Sequence, residues 1–184
     1  MKRIVLTALL CLFPLMALAD DATDKMSGSG AAKVAAGAKD ASSKSLLKPT
    51  NDPESWQLEL TEGGKGEMKA SGDAIVFTTT ETDGTNWHVQ AYQTGIDLKN
   101  GKDYVIKFKM KAPQASEVLV LGLINQDDWH EVGLHEELGS SDDFKPYEFT
   151  FTASDTAPNN NRIGFVLGAD KGTISIKELT LTEK

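Results

Sequence analysis

The sequence predicts an all-β domain, a sandwich or a barrel, over residues 51–184. Three observations carry this. Short runs alternate in polarity: Tyr104, Ile106, Phe108 and Met110 interleave with Val105, Lys107, Lys109 and Lys111, the period of a sheet with one buried face. Turn-forming residues separate the runs, at Gly63-Gly64, Asp83-Gly84, Asn100-Gly101, Pro158 to Asn161 and Lys171-Gly172. No segment of the region carries an apolar stripe at helical spacing.

Residues 1–19 read as a Sec-type signal peptide. Lys2 and Arg3 precede a short apolar run, and Ala17-Leu18-Ala19 forms a small-x-small cleavage site. The run is too short to span a bilayer and is broken by Pro14. Cys11 is preceded by Leu10, which is not the small residue that lipoprotein processing needs. The expectation is export to the periplasm or medium, with no membrane insertion of the mature chain. Cys11 is the only cysteine, so the mature protein is expected to fold without a disulfide. The net charge of −8 becomes more negative once Lys2 and Arg3 are removed. Such a chain is a poor partner for nucleic acid or anionic lipid, and a neutral ligand is left open. Residues 20–50, rich in Ala, Ser, Gly, Lys and Asp and without an aromatic residue, read as a linker.

Ten strands are expected, at 56–60, 67–70, 74–80, 87–94, 103–111, 117–124, 129–134, 147–153, 162–167 and 173–181. In the last one the apolar parity slips from Ile174 and Ile176 to Leu179 and Leu181, which predicts a β-bulge near Lys177-Glu178. In the fourth, Trp87, Val89 and Ala91 take the core parity and His88, Gln90 and Tyr92 the open face.

Catalysis finds no support in the motifs. His130 and His135 are five apart in a strand, whereas two histidines bind one zinc from a helix when four apart, so no metal is assigned to them. Carboxylates are plentiful, but none is marked as a general acid, and the mature chain has no nucleophile elbow, phosphate loop or cysteine nucleophile. Gly122, Gly133 and Gly164 each interrupt a strand. Parity puts Leu119, Leu121 and Leu123 on one face of theirs and Gly122 with Gln126 on the other; Gly133 shares a face with Trp129, Glu131 and His135, and Gly164 with Arg162. Such glycines are either bulges or the low floor of a trough. In the second reading its walls are His88, Gln90, Tyr92, Gln126, Trp129, Glu131 and Arg162. Their amides, guanidinium and carboxylate suit sugar hydroxyls, and Trp129 supplies a stacking platform, while Trp87 and Trp56 are expected in the core.

The run Val89-Gln90 to Gln93, Gly95-Ile96, Leu98, Gly101-Lys102 and Tyr104, with the closing Gly172-Thr-Ile-Ser-Ile176, resembles the CenC-type carbohydrate-binding modules of families 4 and 9. The likeness runs in order over residues 55–182. It implies a jelly-roll β-sandwich of two antiparallel sheets, of the galactose-binding type, with a glycan cleft across one sheet. It further implies no catalytic role and a polysaccharide or oligosaccharide partner, often alongside a glycoside hydrolase. Many members carry a structural calcium beside an acidic residue after the apolar pair of the last strand. Lys177 stands there, so no calcium or other cofactor is expected. The competing reading is a structural or protein-interaction sandwich of the cell envelope that does not bind sugar.

Overall fold

Strand β5 (Asp103–Ala112) is an interior strand of one sheet and shows its polarity. Tyr104, Ile106, Phe108, Met110 and Ala112 are buried, while the lysines between them point outward. The computed structural model describes residues 44–115, 117–126 and 128–184, and among these the strands form two five-stranded antiparallel sheets. The first contains β1 (Gln57–Leu60), β4 (Val89–Ile96), β9 (Asn161–Val166), β6 (Val118–Ile124) and β7 (Glu131–Leu138), in that order. The second runs β2 (Lys65–Ser71), β3 (Ala74–Glu81), β10 (Gly172–Glu183), β5, β8 (Ser141–Thr152). Every expected strand is present. β8 begins six residues earlier than expected, because it is an edge strand and so tolerates Pro146, which has no amide proton to donate.

The sheets pack face to face through aromatic rings. Phe165 of β9 meets Phe108 of β5 edge-on, with centroids 5.3 Å apart, and Trp56 meets Phe77 of β3 at 5.2 Å. Trp56 is buried as expected and its indole N–H donates to the Thr50 carbonyl at 2.9 Å. Trp87 is not. It belongs to a 3-10 turn, Asn86–His88, that precedes β4, and the strand parity does not extend into that turn. The indole is therefore exposed, at 48%, and the His88 ring is buried in its place.

The folded unit starts before residue 51. Gln93 takes a core position in β4, where an unpaired amide would be costly. Its Oε1 accepts from the Lys48 amide at 2.8 Å and its Nε2 donates to the Lys48 carbonyl. Thr50 Oγ1 accepts from Leu179 N, and the Leu46 amide donates to the Leu181 carbonyl. Leu47 enters the core. Residues 44–50 are thus a strap on the sandwich rather than linker; the signal peptide and the rest of the linker lie outside the described residues.

The bulge in β10 is where the parity slip puts it. Pairing with β5 shifts between Lys177 and Thr180, and Glu178 has φ +55°. At this bulge Lys177 Nζ lies 3.1 Å from Asp73 Oδ2 and 4.5 Å from the Phe144 ring centroid, and Glu178 is paired with Lys109 at 2.8 Å. A hard cation needs several oxygen ligands. Here the Lys177 ammonium is paired with Asp73, which leaves that carboxylate a poor calcium ligand at this position.

Two outcomes follow for stability. Trp56→Ala costs about 3–5 kcal/mol of unfolding free energy, whereas Trp87→Ala changes it by less than about 0.5 kcal/mol; denaturant titration of both variants measures this. A chelator leaves the melting temperature unchanged in calorimetry, and a large drop reversed by calcium would show a metal site built from other groups.

Candidate functional site

The outward face of the first sheet is read from its pairing register, since residues opposite one another share a face. One row runs Glu59 and Gln90, Val166, Leu119, Glu137. The next runs Gln57, Tyr92, Gly164, Leu121, His135, and the third Thr94, Arg162, Leu123, Glu131. Polar groups occupy the β1–β4 half of this face and aliphatic ones the β6 half. Between them runs a groove of about 340 Å³, lined by Glu59, Gln90, Arg162, the three leucines and Val166, with Trp87 and Trp129 on its walls.

Arg162 holds the polar half together. The residue is 5% exposed although it lies on the outer face of a sheet. Its guanidinium carbon is 4.4 Å from the Tyr92 ring centroid and 4.5 Å from that of Trp129. Nη1 donates to Glu59 Oε2 and Nη2 to Gln90 Oε1, each at 3.3 Å. The Tyr92 hydroxyl donates to the same Glu59 oxygen at 2.8 Å, and burial, with this carboxylate beside it, raises the phenol above its ordinary pKa. Gln90 Nε2 donates to the Trp87 carbonyl at 2.9 Å. The charge of Arg162 is therefore matched within the site, by Glu59.

Gly164 gives the groove its floor. A Cβ there would run into the Ala91 carbonyl and the Tyr92 backbone and Cβ, so only glycine lets β4 and β9 come this close while Leu121 covers the position from the other side. The other two strand glycines do not belong to this floor. Gly122 is on the core side, where a Cβ would meet Ile163 Cδ1 at 2.9 Å and Val132 Cγ2 at 3.0 Å. Gly133, at φ +101°, sits in an irregular stretch of β7 against the Thr152 carbonyl of β8. The leucines accordingly face outward and Val118, Val120 and Ile124 inward, the reverse of the expected assignment.

Of the seven residues expected to line a trough, Gln90, Tyr92, Trp129 and Arg162 come together. His88 does not: its ring is buried, with Nδ1 3.0 Å from Asp83 Oδ1 and Nε2 3.4 Å from Glu62 Oε2. Gln126 is exposed in the β6–β7 connection, where its Oε1 accepts from Asn160 Nδ2. Glu131 shares the face but is paired with His135 at the β7 edge, 2.6 Å away. His130 instead contacts Asp128 and Asp155, so the two histidines share no partner. Residues missed were Glu59, Trp87, the leucines and Val166. Alternation in Gln57-Leu58-Glu59-Leu60 marks Glu59 as outward; nothing in the sequence marks the leucines.

Trp129 stands 46% exposed at the rim with φ +49°, a backbone conformation that costs a non-glycine residue of order 1 kcal/mol or more. The turn that imposes it is closed by Trp129 N donating to the Gln126 carbonyl at 2.9 Å.

Among solved structures, a family 4 carbohydrate-binding module is 26% identical, with a TM-score of 0.63 over 76% of this chain and 93% of its own. The N-terminal cellulose-binding domain of Cellulomonas fimi β-1,4-glucanase C is 21% identical, with a TM-score of 0.59 over 73% of this chain and 91% of its own. The second such domain of the same glucanase is 23% identical, with the same TM-score over 78% and 96%. Among curated protein sequences none matches the chain. The carbohydrate binding domain family CBM_4_9 matches residues 49–172, about two thirds of the sequence. The chain is a carbohydrate-binding module of this family.

Proposed function

We propose that this is an exported, non-catalytic module that binds a chain of a neutral polysaccharide along the groove of its first sheet, as an accessory to a glycoside hydrolase. The observation that carries the reading is the division of the groove: two half-exposed indoles and an aliphatic strip face a row of amide, guanidinium and carboxylate groups. A pyranose has the same division, with apolar C–H faces and a hydroxyl edge. Neutrality of the ligand follows from the pairing of Arg162 with Glu59, which leaves neither charge for a uronate or a sulfate. Export is read from the signal-peptide pattern of residues 1–19 and would put the module in the periplasm or outside the cell.

The non-catalytic assignment has a physical basis. Glycoside hydrolysis ordinarily needs two carboxyl groups across the scissile bond. Glu59 is the one carboxylate among the lining residues, and it is held by Tyr92 and Arg162.

Affinity electrophoresis of the full chain through gels containing hydroxyethylcellulose, xylan or a β-1,3-glucan tests the reading. Each protein–hydroxyl bond replaces one to water and contributes only about 0.5–1.5 kcal/mol, which gives dissociation constants from micromolar toward millimolar. Retention should hardly change between low and high salt, because no net charge is neutralised on binding. Trp87→Ala and Trp129→Ala should each lower affinity by about 1–2 kcal/mol with little change in stability. Arg162→Ala should lower both, with roughly 1–3 kcal/mol lost in unfolding, since Glu59 and Gln90 lose their partner. If no polysaccharide is retained, the envelope sandwich without sugar binding is the better account.

A further inference from the structure

The β6–β7 connection that carries Trp129 is fastened to the β8–β9 connection at both ends: before Trp129, Asn125 N donates to the Asn160 carbonyl at 2.7 Å and Asn160 Nδ2 to Gln126 Oε1, and after it the one tie is the His130 side chain. His130 Nδ1 lies 3.0 Å from Asp128 Oδ2, and Nε2 lies 2.7 Å from the Asp155 carbonyl oxygen. Both partners are acceptors. A neutral imidazole has one N–H and can satisfy only one of them, so holding both requires the imidazolium. The far anchor is fixed. Ser154 N donates to the Val132 carbonyl, Thr156 N donates to Asn100 Oδ1 at 2.9 Å, and Asp155 itself has φ +51°.

We propose that His130 is a positioning residue for Trp129: as an imidazolium it clamps the two connections together and holds the indole against Arg162, so that glycan binding by the groove is linked to pH. This rests on the sugar-binding reading of the groove. Trp129 is the residue next to the clamp, has an unfavourable φ, and touches Arg162 with its ring, so any slack in the connection appears at the platform.

The charges around His130 agree. The Asp155 carbonyl, then the Asp128 carboxylate, raise the imidazole above its ordinary pKa, and His130 in turn lowers that of Asp128. Among the described residues, Asp128 and Asp155 are the charged groups facing the ring from its own connection and from the opposite one. Glu131, next to it in sequence, is taken up by His135. The sign follows from the direction of the shift. A raised folded pKa makes the clamp complete below the unfolded value, about 6.5, and one of its two bonds is lost as pH rises through the folded value. Asp128, being lowered, gives way only in acid.

The experiment is an NMR titration of the ligand-free full chain, with affinity gels in hydroxyethylcellulose at several pH values. The Trp129 indole N–H, assigned with Trp129→Phe, should move through the same midpoint as the His130 ring and stand still in His130→Gln. Retention of the wild-type protein should weaken by roughly two- to tenfold across that midpoint, the range that one lost hydrogen bond allows. His130→Gln should bind independently of pH, at the weaker level. A Trp129 resonance that ignores the His130 titration overturns the proposal. So does a pH dependence of binding that survives His130→Gln. If the Trp129 resonance follows His130 but no glycan is retained at any pH, the clamp stands and the sugar-binding reading fails. The wild-type titration needs no variant of His130, so misfolding of His130→Gln would not remove the test.

Discussion

A charge placed on the open face of a sheet normally stays in water; Arg162 is removed from it. Desolvating a guanidinium is unfavourable by several kcal/mol unless its donors are met and its charge balanced. β1 supplies the counter-charge through Glu59, β4 supplies Gln90 and the face of Tyr92, and the β6–β7 connection supplies the face of Trp129. Each contribution comes from a different stretch of chain, and each is in reach only if the register β1-β4-β9 is correct. A slip of one residue in β9 would turn Arg162 into the core and Ile163 outward. The ion pair therefore ties the pairing of three strands to the shape of the groove. Whether it adds net stability is secondary, since a buried pair of this kind does little better than apolar packing.

The same geometry explains why the site has a polar and an apolar half. Gly164 sits at the centre of the face, in the row that joins Tyr92 to Leu121. With no side chain there, the flanking residues form two walls rather than a continuous layer. On one side the rings and amides are fixed by hydrogen bonds and have little rotational freedom left to lose when a ligand arrives. On the other, leucines present aliphatic surface that needs no orientation at all. Trp87 is part of this order through the turn before β4, whose Asn86 carbonyl accepts from Gly168 N at 2.8 Å and whose Asn86 side chain donates to Glu117.

The ten strands and the bulge in β10 were legible because one-sided burial writes a period of two, and β5 and β10 carry it plainly. Gln90, Tyr92 and Arg162 were legible for the same reason, as polar residues on strands whose alternate positions are apolar. β6 was not. Val118 to Ile124 is apolar on both faces apart from Gly122, so alternation carries no sign, and only pairing of Leu121 with Gly164 decides which side faces out. Trp87 and His88 were exchanged because a 3-10 turn rotates successive side chains by about 120° rather than 180°. Gln93 shows the converse failure. It is a polar residue at a buried position, and the strap at Lys48 that satisfies it comes from a stretch whose composition alone reads as linker.

Burial of this kind also separates what holds the site from what is free to meet a ligand. Tyr92, Gln90 and Arg162 spend their polar groups on one another and on Glu59, and each is at most 9% exposed. Trp87 and Trp129 keep about half of their surface in solvent, and their contacts are to the frame rather than to each other. A chain lying in the groove would cover indole and leucine surface without breaking any bond of the polar network. The frame can thus be rigid and the contact surface still unsatisfied, which is the condition for binding without rearrangement.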